Sequence, residues 1–270
     1  MTTILVTGGT GTLGRLVTER LRADGHEVRV LSRRGLPYAV DLREGGGGLD
    51  AAVSGVDTIL HGASTPRGGD EQAAAHLISA AHRAGVGHLL FISIVGVDRV
   101  PLGHYRTKRA VERQIEQSGL GWTVLRTTQF HDLLVTLFQT LSKPPVMLLP
   151  AGVRDQPIAV AEVADRLADL AADAPAGRVA DMGGPEVRPL PELAHACLAA
   201  AGRRRPIVNV PLAGKAYRGF RTGGHLTPER AVGKGTFEEY LTERFGDPAP
   251  RGDRSAGRAY REDGGPNSSS

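Results

Sequence analysis

Apolar residues alternate between two patterns over the first half of the chain. Compact apolar runs read as strands at residues 4–6, 26–31, 39–42, 56–61, 88–93 and 122–126. Between them, apolar positions recur at three- and four-residue spacing: Leu16, Val17 and Leu21, then Ala74, Leu77, Ile78 and Ala81, then Val111 and Ile115. That spacing places them on one helical face. Gly25, Gly85 and Gly119 close these segments as helix stops. Strand alternating with helix predicts an α/β fold, a Rossmann-type doubly wound parallel sheet.

Beyond residue 126 the pattern loosens. Residues 130–141 carry a wide apolar stripe (Phe130, Leu133, Leu134, Leu137, Phe138 and Leu141) that suits a packed core or one wall of an apolar pocket, and Pro144 and Pro145 end it. Helices are expected at 161–172, 191–201 and 236–245, and strands at 178–182 and 206–210. Residues 247–270 are rich in Pro, Gly, Arg, Asp and Ser and carry almost nothing apolar, so a disordered tail is expected there.

The junction between the first strand and the first helix holds the strongest chemical signal. Gly8, Gly11 and Gly14 are spaced three apart. The first permits a tight turn, the second lets a phosphate approach the backbone, and the third lets helix pack on strand. The helix N-terminus then offers free N–H groups to a pyrophosphate, so Gly8, Thr10, Gly11, Thr12, Leu13 and Gly14 are expected to hold a dinucleotide. At the carboxyl end of the second strand stand Ser32, Arg33 and Arg34, with no acid. An acid there would bind both ribose hydroxyls of NAD, whereas arginine accommodates the 2′-phosphate of NADP. NADP(H) is therefore expected over NAD(H). Asp41 and Leu42, at the end of the third strand, are expected beside the adenine. The small Ala63 and Ser64, after the fourth, allow close approach of the cofactor.

Composition narrows the class. The chain has 270 residues, 40% hydrophobic and 23% charged, and only 4% aromatic, so the core relies on aliphatic side chains. Net charge is +4 with scattered arginines; the one run, Arg203 to Arg205, follows the helix end expected at Gly202 and reads as a solvated surface, not a nucleic-acid site. The single cysteine, Cys197, cannot form an internal disulfide and sits in an apolar helical context that suits a buried thiol. No signal peptide or membrane span is seen and no metal site is expected, so a cytoplasmic monomer or homodimer acting on a small molecule is the expectation.

Several segments resemble one family. The glycine turn, Arg33, Asp41 with Leu42, residues 91–98 and residues 122–130 are similar to the atypical short-chain dehydrogenase/reductases of the NmrA-like, NAD(P)H-binding subgroup. Residues 234–241 resemble that subgroup's closing helix, and the similarity spans about residues 2–246. It implies one Rossmann domain with a smaller substrate lobe built mainly from residues 130–246. It also implies NADPH-dependent hydride transfer, with a tyrosine as proton donor, a lysine four residues later on the nicotinamide ribose, and a serine after the fifth strand.

Lys108 matches the lysine, but His104 stands four before it and Tyr105 three before. Both lie one turn away, so either Tyr105 or His104 is the donor. In a plain amphipathic helix Lys108 would instead pair with Glu112. Ser93 sits one residue before the usual serine position, which Ile94 takes. The turn after the sixth strand brings Thr127 toward the cofactor and Gln129 and His131 toward substrate; alternatively Thr127 and Thr128 cap the next helix. Because the tyrosine and serine slots are displaced, a cofactor-binding regulator without turnover is the alternative function.

Overall fold

The computed structural model describes residues 1–33, 35, 37–64 and 68–246. The expectations for Arg34 and for the tail 247–270 lie outside the described residues. The first half alternates as the sequence predicts: β1 (Thr3–Thr7), α1 (Thr12–Ala23), β2 (Glu27–Ser32), β3 (Tyr38–Ala39), α2 (Gly47–Val53), β4 (Thr58–His61), α3 (Asp70–Ala84), β5 (His88–Ile94), α4 (Gly103–Glu116) and β6 (Gly121–Thr127). The second half holds α5 (His131–Leu141), β7 (Met147–Pro150), β8 (Arg154–Asp155), α6 (Val160–Ala172), β9 (Gly177–Arg178), β10 (Arg188–Pro189), α7 (Leu190–Ala200), β11 (Ile207–Val210), α8 (Lys215–Arg221) and α9 (Phe237–Phe245).

The central sheet runs β3-β2-β1-β4-β5-β6-β9, with every neighbouring pair parallel. This is a Rossmann-like α/β fold. Its strand order reverses between β1 and β4, so a crevice opens beyond the carboxyl ends of those strands. The central strands β1, β4 and β5 are buried on both faces, which is why they read as compact apolar runs, whereas β2 nearer the edge is half-buried. Leu5, Ile59, Leu89, Phe91 and Val124 pack toward α2, α3 and α4. Ile4, Val6, Leu60, Leu90 and Leu125 pack toward α1 and α6.

A third core lies between α5, β7, α7 and α9, built from Leu134, Val135, Phe138, Met147, Leu149, Leu193, Cys197, Phe237 and Leu241. Cys197 is buried there, and burial pushes its thiol up to about 11. The second half does not stay apart from the first. Helix α6 packs back on α1, and β9 adds the last strand beside β6. Helix α9 opens on a reciprocal cap: Thr236 Oγ1 accepts from Glu239 N at 3.2 Å while Glu239 Oε2 accepts from Thr236 N at 2.8 Å.

Two expectations are corrected and two elements were missed. The third strand is Tyr38–Ala39 rather than 39–42, because the Asp41 carboxylate accepts from Arg43 N at 3.0 Å and turns the chain. The strand expected at 178–182 shrinks to Gly177–Arg178, followed by a lone bridge from Thr127 to Met182. Strand β7, which pairs in parallel with β11, and helix α8 were not anticipated. Among the described residues no helix is long and apolar enough to cross a membrane.

Phe138 is fully buried and Leu137 beside it is 40% exposed. Phe138→Ala should therefore cost about 3–5 kcal/mol in urea unfolding, whereas Leu137→Ala should cost less than about 1 kcal/mol.

Candidate functional site

The glycines leave the turn open at the positions where a side chain would block it. Gly8 adopts φ +73°, and a Cβ there would lie 2.9 Å from Ala63 N. A Cβ on Gly14 would lie 2.3 Å from Gly8 O, a contact that α1 could relieve only by moving away from β1. Gly11 N donates to Gly8 O at 2.9 Å, tightening the turn. As the N-cap of α1, Gly11 brings no side-chain cap, and the first turn of the helix holds no acid. Its N–H groups stay available to an anion.

Two cavities meet over this turn and share Gly8, Gly11, Gly62 and Ser64, forming one trench. The first, about 280 Å³, is lined by Thr10, Ser32, Arg33, Asp41, Leu42 and Ala63. The sequence did not single out Arg43, which also lines it and grips Asp41 in an ion pair at 2.5 Å. The Arg43 side chain, then its backbone N–H, hold the Asp41 carboxyl down to about 2. Ser32 Oγ accepts from Gly35 N at 2.8 Å, shaping the turn that carries Arg33.

The second cavity, about 300 Å³, is lined by Thr12, Leu13, Gly14, Ser93, Ile94, His104, Lys108, Thr127, Thr128, Gln129, Phe130 and Leu133. Lys108 is buried; its Nζ donates to Ile92 O at 3.2 Å and stands 4.7 Å above the Phe91 ring. Burial lowers its pKa to about 8 against the pull of Asp70 and Glu112, so it carries its charge below that pH. His104, one turn earlier, lines the same cavity, and burial and then the Lys108 charge hold it below the ordinary histidine range. Ser93 is 2% exposed, and its Oγ has no hydrogen-bond partner among the described residues.

Tyr105 does not line either cavity. A helix turns about 100° per residue, which carries its ring away from His104 toward Val97, Val100 and Phe220, 3% exposed and edge-on to Phe220 at 5.8 Å. Its hydroxyl accepts from Gln129 Nε2 at 2.8 Å, and burial holds the phenol above its ordinary range. His131, expected at the substrate, is instead 1% exposed and packed on Phe237 and Tyr240 in the third core. It is the first residue of α5 and faces α9, away from the trench. Thr128 does not cap α5; its Oγ1 accepts from Gly184 N at 3.3 Å.

Two buried networks hold these groups. Glu112 pairs with Arg126 rather than with Lys108, through Arg126 Nε and Nη2 at 2.8 and 2.7 Å, and Arg126 Nη1 reaches Asp98 at 3.0 Å. This fork ties α4 to β6. Thr7 Oγ1 takes Ala63 N–H at 3.2 Å and shares a 2.8 Å bond with His61 Nδ1. The His61 ring stacks on Phe91 at 5.4 Å, and burial holds it neutral, down to about 3. Neither network is announced by a spacing motif, since their partners are far apart in sequence.

A cradle that tolerates no Cβ, a bare helix N-terminus, a basic rim and a buried lysine beside an unpartnered hydroxyl fit a nicotinamide dinucleotide laid along the trench. Residues 8–174 match the NAD(P)H-binding family. The chain belongs to that family. A (4-alkanoyl-5-oxo-2,5-dihydrofuran-3-yl)methyl phosphate reductase from Streptomyces griseus is 32% identical over 204 residues, 68% of each chain. An NAD(P)H azoreductase from Xenophilus azovorans is 33% identical over 55% of this chain and 56% of its own. A photosystem II assembly factor from Synechocystis is 28% identical over 78% of this chain and 71% of its own. Among solved structures, an NADPH-dependent quinone oxidoreductase from Escherichia coli shares the family's fold with a TM-score of 0.74 and 21% identity, covering 90% of this chain and 99% of its own.

The Glu112 carboxylate is fully buried. Glu112→Gln leaves Arg126 with only Asp98 as counter-charge and should lower stability by about 3 kcal/mol, read by urea unfolding at pH 7.

Proposed function

We propose that this chain, an NAD(P)-dependent oxidoreductase, uses NADPH to reduce a small or medium apolar carbonyl, enone or quinone-like substrate. The observation that carries this reading is the single trench running from Arg33 and the glycine cradle to His104, Lys108 and Ser93. When bound, the nicotinamide supplies a hydride and leaves oxidised. Arg33, exposed at the rim, offers a guanidinium to a 2′-phosphate. The Lys108 ammonium, held by Ile92 O, binds the nicotinamide ribose in this reading. Ser93 Oγ donates to the substrate oxygen, and His104 supplies the proton that the reduced oxygen takes up. Gln129, its Nε2 committed to Tyr105, turns its amide oxygen to substrate, and Ile94, Phe130 and Leu133 form the apolar wall. Relatives named as reductases at 32% and 33% identity support the reaction class.

A second reading is a cofactor-binding regulator without turnover. It is favoured by the Tyr105 hydroxyl, which is bonded to Gln129 and turned from the cavity. Titrating NADPH and NADH by fluorescence, then following nicotinamide absorbance with quinones, enones and aldehydes, separates the two. Tight NADPH binding without oxidation across the panel overturns the reductase reading.

Arg33→Ala should weaken NADPH by about tenfold or more, the loss of one charge-assisted bond, and change NADH by less than about twofold; equal weakening removes the NADP assignment. A His104 donor held below the ordinary histidine range is protonated only in acid. The rate constant kcat should therefore rise as pH falls through the His104 pKa, below 6.5. The His104→Gln variant should be slow and flat over that range.

A further inference from the structure

The outer face of α5 is unlike a normal surface helix face. The exposed side of α1 carries Arg15, Glu19, Arg20 and Arg22. The exposed positions of α5 are Leu133, Thr136, Leu137 and Thr140, with no charge among them. Leu133 is 53% exposed and Leu137 40%. Both threonine hydroxyls turn inward: Thr136 Oγ1 donates to Asp132 O at 2.8 Å, and Thr140 Oγ1 to Thr136 O at 2.9 Å. Their polar atoms are satisfied by the helix itself, which leaves hydrocarbon on the outer surface. The one acid of the helix, Asp132, is engaged by Tyr240 and Arg244 of α9. The result is an uncharged strip about 10 Å long, from position 133 to position 140.

This strip does not begin at random. Leu133 is also a wall of the cavity that holds His104 and Lys108, so the apolar surface starts inside the cleft and continues out along α5. Two exposed leucines one turn apart on a helix face without charge offer an apolar group a continuous surface to lie on. Continuity with the cleft says what covers it.

We propose that the substrate carries an unbranched apolar tail, which leaves the cleft at Leu133 and lies along α5 over Leu137 while its reducible head sits at His104. The inference rests on the reductase reading for the head and on the α5 face for the tail. The 10 Å strip spans roughly seven or eight methylenes. It covers only one side of the tail, so each methylene gains about half of complete burial, about twofold in affinity instead of fourfold.

The test uses the full chain with NADPH and a series of 2-alkyl-1,4-benzoquinones bearing methyl, butyl and heptyl tails. KM should fall about eightfold from butyl to heptyl. Leu137→Gln, which keeps helix propensity, should remove most of that gain and leave KM for the methyl compound unchanged. Calorimetric titration of 4-butylphenol and 4-heptylphenol, which accept no hydride, gives a readout independent of turnover and should show the same preference for the longer tail and the same loss in Leu137→Gln. Tail dependence in the phenols without any quinone turnover would overturn the reductase reading and keep the shelf. Turnover with KM indifferent to tail length, or a tail preference that survives Leu137→Gln, overturns the shelf. Sedimentation of both proteins adds one more outcome: a dimer that Leu137→Gln dissociates, with tail dependence intact, would assign the face to a second copy and also overturn the proposal.

Discussion

The buried fork between Arg126 and Glu112 is the contact on which the cavity around Lys108 and His104 depends. Arg126 is the residue before Thr127, and Glu112 lies one helical turn after Lys108. Closing two short charge-assisted bonds between them fixes the distance from β6 to α4, and with it the width of the cavity that Lys108, His104, Thr127 and Gln129 share. A buried pair of this kind contributes little net stability over an apolar pair of the same shape. Its value here is geometric: a planar guanidinium against a carboxylate permits one register, where aliphatic packing would permit several.

The opposite end is organised by absence. Gly8 and Gly14 approach within a distance that excludes any Cβ, and Ala63 crowds the same turn from β4. Thr7 and His61 then secure that strand end from below. The His61–Phe91 stack runs on to the Lys108 ammonium, so a continuous set of contacts joins the phosphate cradle to the lysine. Burial first, and then the Lys108 cation over the Phe91 ring, disfavour a positive charge on His61, which keeps the histidine a neutral spacer.

The sheet, the glycine turn and the position of Lys108 were legible in the sequence because each follows from local pattern: period, glycine spacing, distance along one helix. The side chains misplaced by sequence reasoning were those whose direction depends on a neighbour distant in the chain. His104 and Tyr105 are equally one turn from Lys108; Tyr105 is the one packed against Val97, Val100 and Phe220, which come from other parts of the chain. His131 reads as a site residue by its place after β6, yet α9, more than a hundred positions later, supplies the aromatic rings that bury it. The Glu112 partner was misjudged in the same way, since Lys108 is the nearer cation in sequence and Arg126 the nearer in space. The apolar stripe of α5 was visible, but not that it divides into a packed side and an open one.

The weave of the second half through the first has a consequence for assembly. Residues 160–172 cover the sheet face beneath α1, and residues 177–178 complete its edge beside β6. Strand β7, laid down before both, waits for β11 at 207–210 before it gains its parallel partner. A chain leaving the ribosome therefore cannot finish its nucleotide-binding half and add the other lobe afterwards. The two mature together: a nascent chain arrested before residue 160 would leave the α1 face of the sheet without α6, and one arrested before residue 177 would expose the β6 edge.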